Sequence, residues 1–137
     1  MKNKKIKWLI YTVLVGLIPI ISRFLVWGVT QSGIVNLLAA SDFIAFGLIL
    51  HISNINEIEH LSDSDKSWKT IQNGTSILFI ALYSVLFCLT ILSEGIPGLV
   101  DSQVIKLCVI VLALISFSIS FSVFHRISNI QKSEVSQ

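Results

Sequence analysis

Four long apolar segments dominate the chain. They cover residues 8–28, 34–52, 74–92 and 104–124, and each ends at a polar or glycine-containing break. A helix needs about 20 mostly apolar residues to cross a hydrocarbon core of roughly 30 Å, because it rises about 1.5 Å per residue. In lipid, the backbone N–H and C=O groups of such a segment must be bonded within it. The pattern therefore predicts an all-α integral membrane four-helix bundle in a single domain.

Composition and charge agree with this prediction and orient the bundle. Of the 137 residues, 53% are hydrophobic and 13% are charged, against about 25% charged in an ordinary soluble domain. This balance excludes a disordered chain, a disulfide-stapled secreted module and a soluble nucleic-acid-binding domain. Lysine and arginine occur before the first segment, in residues 53–73 and in the tail 125–137, but not in the connections 29–33 and 93–103. Both termini and the 53–73 loop are therefore predicted to be cytoplasmic.

Two charged residues, Arg23 and Asp42, interrupt the apolar segments, and Lys106 lies just inside the start of the fourth. Either would cost roughly 2.5–3.5 kcal/mol at the centre of a membrane helix, so such residues normally face protein or a water-filled cavity. The short connection 29–33 makes the first two helices antiparallel neighbours, and the two residues lie at similar depths. An Arg23–Asp42 ion pair is predicted, either as a structural device that sets helix register or as a switch between two arrangements.

Helix bending and helix packing have further candidate residues. Pro19 removes a backbone hydrogen bond within the first segment, and together with Gly16 it marks a kink or a hinge. Small residues spaced by four allow membrane helices to approach closely. Such pairs favour contact within a subunit, between subunits or both, and they predict a homo-oligomer whose number stays open, with a tetramer among the options. The packing candidates are Ser41 with Ala45 and Ser116 with Ser120.

The loop 53–73 is the longest polar stretch. Ile52, Ile55, Ile58 and Leu61 recur every three residues, which predicts that the second helix continues beyond the membrane with one apolar stripe. This stripe either packs on its own bundle or forms a docking surface for a soluble partner, since an apolar core with a polar rim is typical of an interface. The candidate docking residues are Glu57, Glu59, Asp63, Asp65 and Trp68.

Catalytic chemistry is not apparent in the sequence. No nucleophile–base pair, phosphate loop, metal-ligand cluster or carboxylate pair can be assembled from it. We therefore expect no enzyme, no catalytic residue, no cofactor, no metal and no direct contact with nucleic acid. Cys88 and Cys108 are interpreted as packing residues, and His51 and His60 as surface or interfacial side chains. A sensor or anchor, an immunity protein and an oligomeric pore remain.

In length, span number, cytoplasmic termini and cytoplasmic loop, the chain resembles the small four-span membrane subunits (KwaA) of the Kiwa anti-phage defence systems. The resemblance implies an oligomeric sensor in the bacterial inner membrane that responds to phage attachment and holds a soluble DNA-binding effector (KwaB-like) at its cytoplasmic face. The loop residues named above would then dock the effector, and Arg23 with Asp42 would sense membrane disturbance. The plan is also similar to immunity proteins against pore-forming bacteriocins, which recognise the toxin within the bilayer. A small pore or holin, lined by residues such as the serines of the fourth segment, is a third interpretation.

Overall fold

The chain folds into four helices in this computed structural model, which describes residues 6–61 and 65–136 and, for residues 9 and 134, the backbone only. No strand occurs in these ranges, which confirms the predicted all-α class. The first helix begins with a π-helical stretch, Leu9–Leu14, and continues as an α-helix over Val15–Val29. The helices are α1 (Ile6–Val29), α2 (Ala40–Glu59), α3 (Lys66–Gly95) and α4 (Ser102–Val135).

Three of the helices, α1, α3 and α4, are long and apolar enough to cross a membrane. Their outer surfaces carry large exposed apolar side chains, such as Leu25 (64% exposed) and Leu114 (65%). A soluble monomer rarely exposes so much contiguous apolar surface, so a lipid environment accounts for these faces. Helix α2 differs, because Asp42, His51 and Asn54 are among its buried residues. The bundle therefore consists of three helices that could cross a membrane and of α2, which carries buried polar side chains.

Helix α2 lies at the centre of the bundle and packs against each of the other three helices. Over residues 9–29, no Cα atom of α1 lies within 8 Å of one in α3 or α4, and near the inner end Trp8 of α1 stacks on Phe124 of α4. We call the end with the α2–α3 turn the inner end, and the end with the connections 30–39 and 96–101 the outer end. Because α2 is enclosed by its neighbours, its polar side chains are the ones withdrawn from lipid.

Two glycines allow the close approach of α2 to its neighbours. A Cβ atom at Gly47 would overlap the Tyr83 ring, which packs directly over this position. A Cβ atom at Gly16 would lie 2.9 Å from Cδ2 of Phe46, so Gly16 serves the contact between α1 and α2. The helix continues through Pro19 to Val29, and the hinge that Gly16 and Pro19 suggest stays a prediction.

The second helix begins later than the hydropathy pattern predicts, at Ala40 instead of residue 34. Residues 30–39 form turns and extended backbone, with Gly33 at a φ of +87° and Ala39 at a φ of −123°. Hydropathy records only that Ile34, Leu37 and Leu38 are apolar, and does not distinguish an apolar connection from a helix. The predicted extension of the second helix beyond residue 52 is confirmed, since α2 ends at Glu59.

Candidate functional site

The outer end of α2 contains the ion pair predicted from the sequence. Arg23 Nε donates to Asp42 Oδ2, and Arg23 Nη2 lies 3.5 Å from Asp42 Oδ1. The side chains are 30% and 12% exposed, respectively. Asp42 also lies in the first turn of α2, where the helix dipole favours a negative charge. Each charge therefore has a compensating partner within the bundle.

A second polar group lies near the middle of α2, around His51, whose side chain is fully buried. His51 Nε2 lies 2.9 Å from Ser116 Oγ and Nδ1 lies 3.3 Å from Ser76 Oγ. Tyr83 Oη lies 2.8 Å from the same Ser116 oxygen, and the imidazole stacks on Phe79 with a centroid distance of 4.7 Å. A neutral imidazole has one donor and one acceptor, and hydroxyl groups can complement both.

The polar contacts continue along α2 towards the inner end. Asn54 Nδ2 donates to Ser120 Oγ at 2.8 Å, and the hydroxyls of Thr12 and Ser53 are hydrogen-bonded at 3.1 Å. Helix α2 is thus hydrogen-bonded to α1, α3 and α4 by side chains. We define the central polar network as His51, Asn54, Ser76, Tyr83, Ser116 and Ser120.

His51 is fully buried, so its interpretation as a surface or interfacial side chain was wrong. Ser116 and Ser120 were predicted as small residues for helix contact, and both are fully buried hydrogen-bond partners of α2. A signal was present in the spacing: His51 and Asn54 lie on one face of α2, and Ser116 and Ser120 lie on one face of α4. Ser41 and Ala45 are half-buried. The spacing of polar residues in α2 and α4 thus indicates faces that meet, as the spacing of apolar residues does.

At the inner end, two of the candidate docking residues connect α3 to α4. Asp65 accepts a hydrogen bond from the Trp68 backbone N–H at 3.4 Å and one from Arg126 Nη2 at 2.7 Å. The Arg126 guanidinium lies 4.6 Å from the centroid of the Trp68 ring, within the range of a cation–π contact. Trp68 also packs against the apolar cluster formed by Ile58, Val123 and Ile127.

The other candidate docking residues differ in position. Glu59 is exposed, and Glu57 is half-buried at the edge of an inner cleft of about 460 Å³ between α1, α2 and α4. Asp63 lies outside the described residues. The predicted apolar stripe is divided too, because Ile58 is fully buried while Ile52 is 58% exposed. The accessible acidic surface of α2 is therefore Glu57 with Glu59.

Metal and thiol chemistry receive no support from the geometry. Within residues 6–61 and 65–136, no group of three or more His, Cys, Asp or Glu side chains is placed to hold a metal ion. Cys88 and Cys108 are free thiols that face outward from α3 and α4, so their interpretation as buried packing residues was wrong.

No protein-family model, curated protein or solved structure matches the chain. The side-chain contacts and charges of the bundle are therefore the basis for the proposed function.

The central polar network can be tested with two serines of the same helix. Ser116→Ala removes the hydroxyl shared by His51 and Tyr83, and we expect it to lower the free energy of unfolding by about 1 kcal/mol, because two interhelical contacts of about 0.6 kcal/mol each are lost. Ser118→Ala is the control, since Ser118 is exposed and its hydroxyl bonds only to the Leu114 carbonyl of its own helix. Thermal unfolding in one detergent measures both variants. Equal effects would contradict the assignment of Ser116 to the network.

Proposed function

We propose that the chain is a membrane-embedded sensor or anchor subunit of a bacterial anti-phage defence complex. In this proposal it is a multi-pass protein of the inner membrane with four spans, cytoplasmic termini and a homo-oligomeric assembly. It detects membrane disturbance on phage attachment and recruits a soluble DNA-binding effector at its cytoplasmic face. The outer end senses the bilayer and the inner end holds the effector.

The observation that carries the proposal is that α2 makes polar contacts both at its outer end and in its inner half, on either side of the apolar stretch 43–50. The helix begins beside the Arg23–Asp42 ion pair, passes through the central polar network and ends at Glu59. From Asp42 to Glu59 the helix axis extends about 26 Å, at about 1.5 Å per residue. A rigid element that reaches both ends can transmit a displacement from one to the other.

The type of contact along α2 also favours a movable element. Interhelical polar contacts in membrane proteins average only about 0.6 kcal/mol each, because alternative partners are available. Hydroxyl, imidazole and amide groups can exchange partners after a small rotation or shift of the helix. We propose that α2 occupies a second arrangement in which the Arg23–Asp42 pair and the central polar network are bonded differently.

The docking surface for the effector is proposed on the accessible acidic residues of the inner end, Glu57 and Glu59, with Asp63 as a further candidate. Asp65 and Trp68 serve this surface indirectly, because their contacts with Arg126 hold the start of α3 against α4. Since the acidic residues carry the surface, the complementary face of the partner is expected to be basic.

A charge-reversal pair tests the docking surface. Glu59→Lys at the end of α2 is expected to reduce recovery of a soluble partner at least about tenfold in a mild-detergent pull-down from phage-challenged cells, because charge reversal opposes a basic partner. Glu94→Lys is the matched control, since Glu94 is also exposed near a helix end but lies at the outer end. The control is expected to retain the partner.

The same variants, together with a bacteriocin-binding assay and a liposome leakage assay, separate the alternative functions. Partner recovery that survives both Glu57→Lys and Glu59→Lys would contradict docking at the inner end. Binding of a bacteriocin that is lost with Glu94→Lys alone would favour the immunity interpretation. Ion leakage from liposomes by a homo-oligomer without any soluble partner would favour the pore.

A further inference from the structure

The outer end of the bundle contains a cleft of about 530 Å³ where all four helices and the connection 34–39 meet. Its volume lies within the usual range for small-ligand sites, about 300–1,000 Å³. Three charged side chains line it, Arg23 from α1, Glu94 from α3 and Lys106 from α4. Because no Cα atom of residues 9–29 in α1 lies within 8 Å of α3 or α4, helix packing does not close the space between them at the outer end.

The backbone of the connection requires polar surroundings in this cleft. Residues 35–38 make no hydrogen bond to the rest of the described chain. An unbonded backbone group costs several kcal/mol in hydrocarbon, and irregular backbone at membrane depth is tolerated only beside protein or a water-filled cavity. The cleft therefore has to contain water or the polar part of a ligand.

The position of the cleft matches the level of lipid headgroups. Arg23 lies about 9 Å before the end of α1 and Lys106 about 6 Å after the start of α4, at about 1.5 Å per residue. Glu94 precedes the last residue of α3. The headgroup layer of a bilayer is roughly 5–8 Å thick on each side. The three charged residues thus lie at or just below the outer headgroups of a bilayer that encloses α1, α3 and α4.

The charges of the cleft select among headgroups. Arg23 is compensated by Asp42. Lys106 and Glu94 have neither an ion pair nor a side-chain hydrogen bond within the described ranges, so the cleft offers one cation and one anion. A headgroup with a phosphate and an ammonium group complements both, whereas a purely anionic headgroup would leave Glu94 facing negative charge. The first turn of α2, which no side chain caps, adds backbone donors for the phosphate.

We propose that the outer cleft binds the headgroup of a zwitterionic phospholipid of the ethanolamine class from the adjoining leaflet, because a primary ammonium can donate hydrogen bonds to the Glu94 carboxylate. The phosphate lies towards Lys106 and the first turn of α2, and the ammonium lies towards Glu94. The acyl chains pass between α1 and the α3–α4 pair into the bilayer. This site does not require a soluble partner, so it can be tested apart from the proposed function.

The test measures the thermal unfolding midpoint of the full chain in detergent with added phosphatidylethanolamine, phosphatidylglycerol or soluble phosphoethanolamine. Phosphatidylethanolamine should raise the midpoint by about 3–5 °C, because a ligand that binds only the folded state stabilises it, and the other two should raise it less than half as much. Lys106→Gln and Glu94→Gln should each lose this difference. Lys132→Gln and Glu59→Gln, at the inner end, should keep it.

An equal shift with phosphatidylglycerol, an equal shift with soluble phosphoethanolamine, or a full shift in both cleft variants would overturn the proposal. A second measurement does not depend on the charge variants. Hydrogen exchange at residues 40 and 41, in the first turn of α2, should be at least about threefold slower in nanodiscs of phosphatidylethanolamine than of phosphatidylglycerol, because the phosphate accepts hydrogen bonds from these backbone N–H groups. Equal exchange in the two lipids would likewise overturn it.

Discussion

Gly47→Ala is expected to destabilise the bundle by about 3 kcal/mol and to reduce the yield of folded protein. The added methyl group would overlap the Tyr83 ring, which is fully buried between α2 and its neighbours. Overpacking of a close-packed core costs about 1–3 kcal/mol, and occasionally more, when the neighbour cannot move. Tyr83 is held further by its hydrogen bond to Ser116. Thermal unfolding in detergent measures the loss.

The control for this prediction is Gly74→Ala in α3. No atom lies within 4 Å of a Cβ atom built at Gly74, so the substitution should be neutral or slightly stabilising, because alanine favours a helix over glycine. The double variant with Gly47→Ala and Tyr83→Ala should lose clearly less stability than the sum of the losses in the two single variants, because removing the Tyr83 ring removes the overlap. Additive losses would argue against direct packing of Tyr83 on Gly47.

Asp42→Leu is expected to cost about 2–3 kcal/mol, because it leaves the Arg23 guanidinium without its anion. Breaking a buried ion pair usually costs about 3–5 kcal/mol, and the estimate is lowered here because Arg23 is 30% exposed. Glu94→Leu serves as the control at the same end of the bundle, and we expect a change within about 0.5 kcal/mol. Unfolding midpoints of the two variants provide the comparison.

A double variant separates pairing from the loss of either charge alone. Arg23→Leu with Asp42→Leu should recover most of the stability lost in Asp42→Leu, since replacing both partners by apolar residues is often neutral. It should still abolish signalling if the pair is the proposed switch, and retain signalling if it only sets helix register. A double variant as unstable as the single one would contradict direct coupling of Arg23 and Asp42.

Hydropathy predicted the helical class because apolar length is a local property of the chain. The Arg23–Asp42 pair could also be predicted from the sequence, because a short connection makes two helices neighbours and the depth of each residue follows from its number. The start of α2 at Ala40 could not be predicted in this way, because residues 34–39 are as apolar as the residues of a membrane helix. Their conformation depends on the cleft that they border, which is formed by residues far away in the sequence.

The hydrogen-bond partners within the central polar network could not be predicted from the sequence. His51 is bonded to Ser76 and Ser116, which are 25 and 65 residues away along the chain. Which face of α2 meets which serine depends on how three helices rotate about their axes, and the apolar residues on every face leave that rotation open. The polar residues restrict this rotation, because each buried polar group needs a hydrogen-bond partner.

The polar character of α2 has a consequence for how the protein is made. The partners of His51 and Asn54 come from α3 and α4, which leave the ribosome after α2. On insertion-derived scales, a segment with so many polar residues partitions poorly into lipid by itself. Helix α2 is therefore expected to stay beside the translocon, or in its lateral exit, until Ser116 and Ser120, which lie 65 and 66 residues beyond their partners in α2, have been synthesised. The order of translation, as well as the final contacts, thus belongs to the folding problem of this bundle.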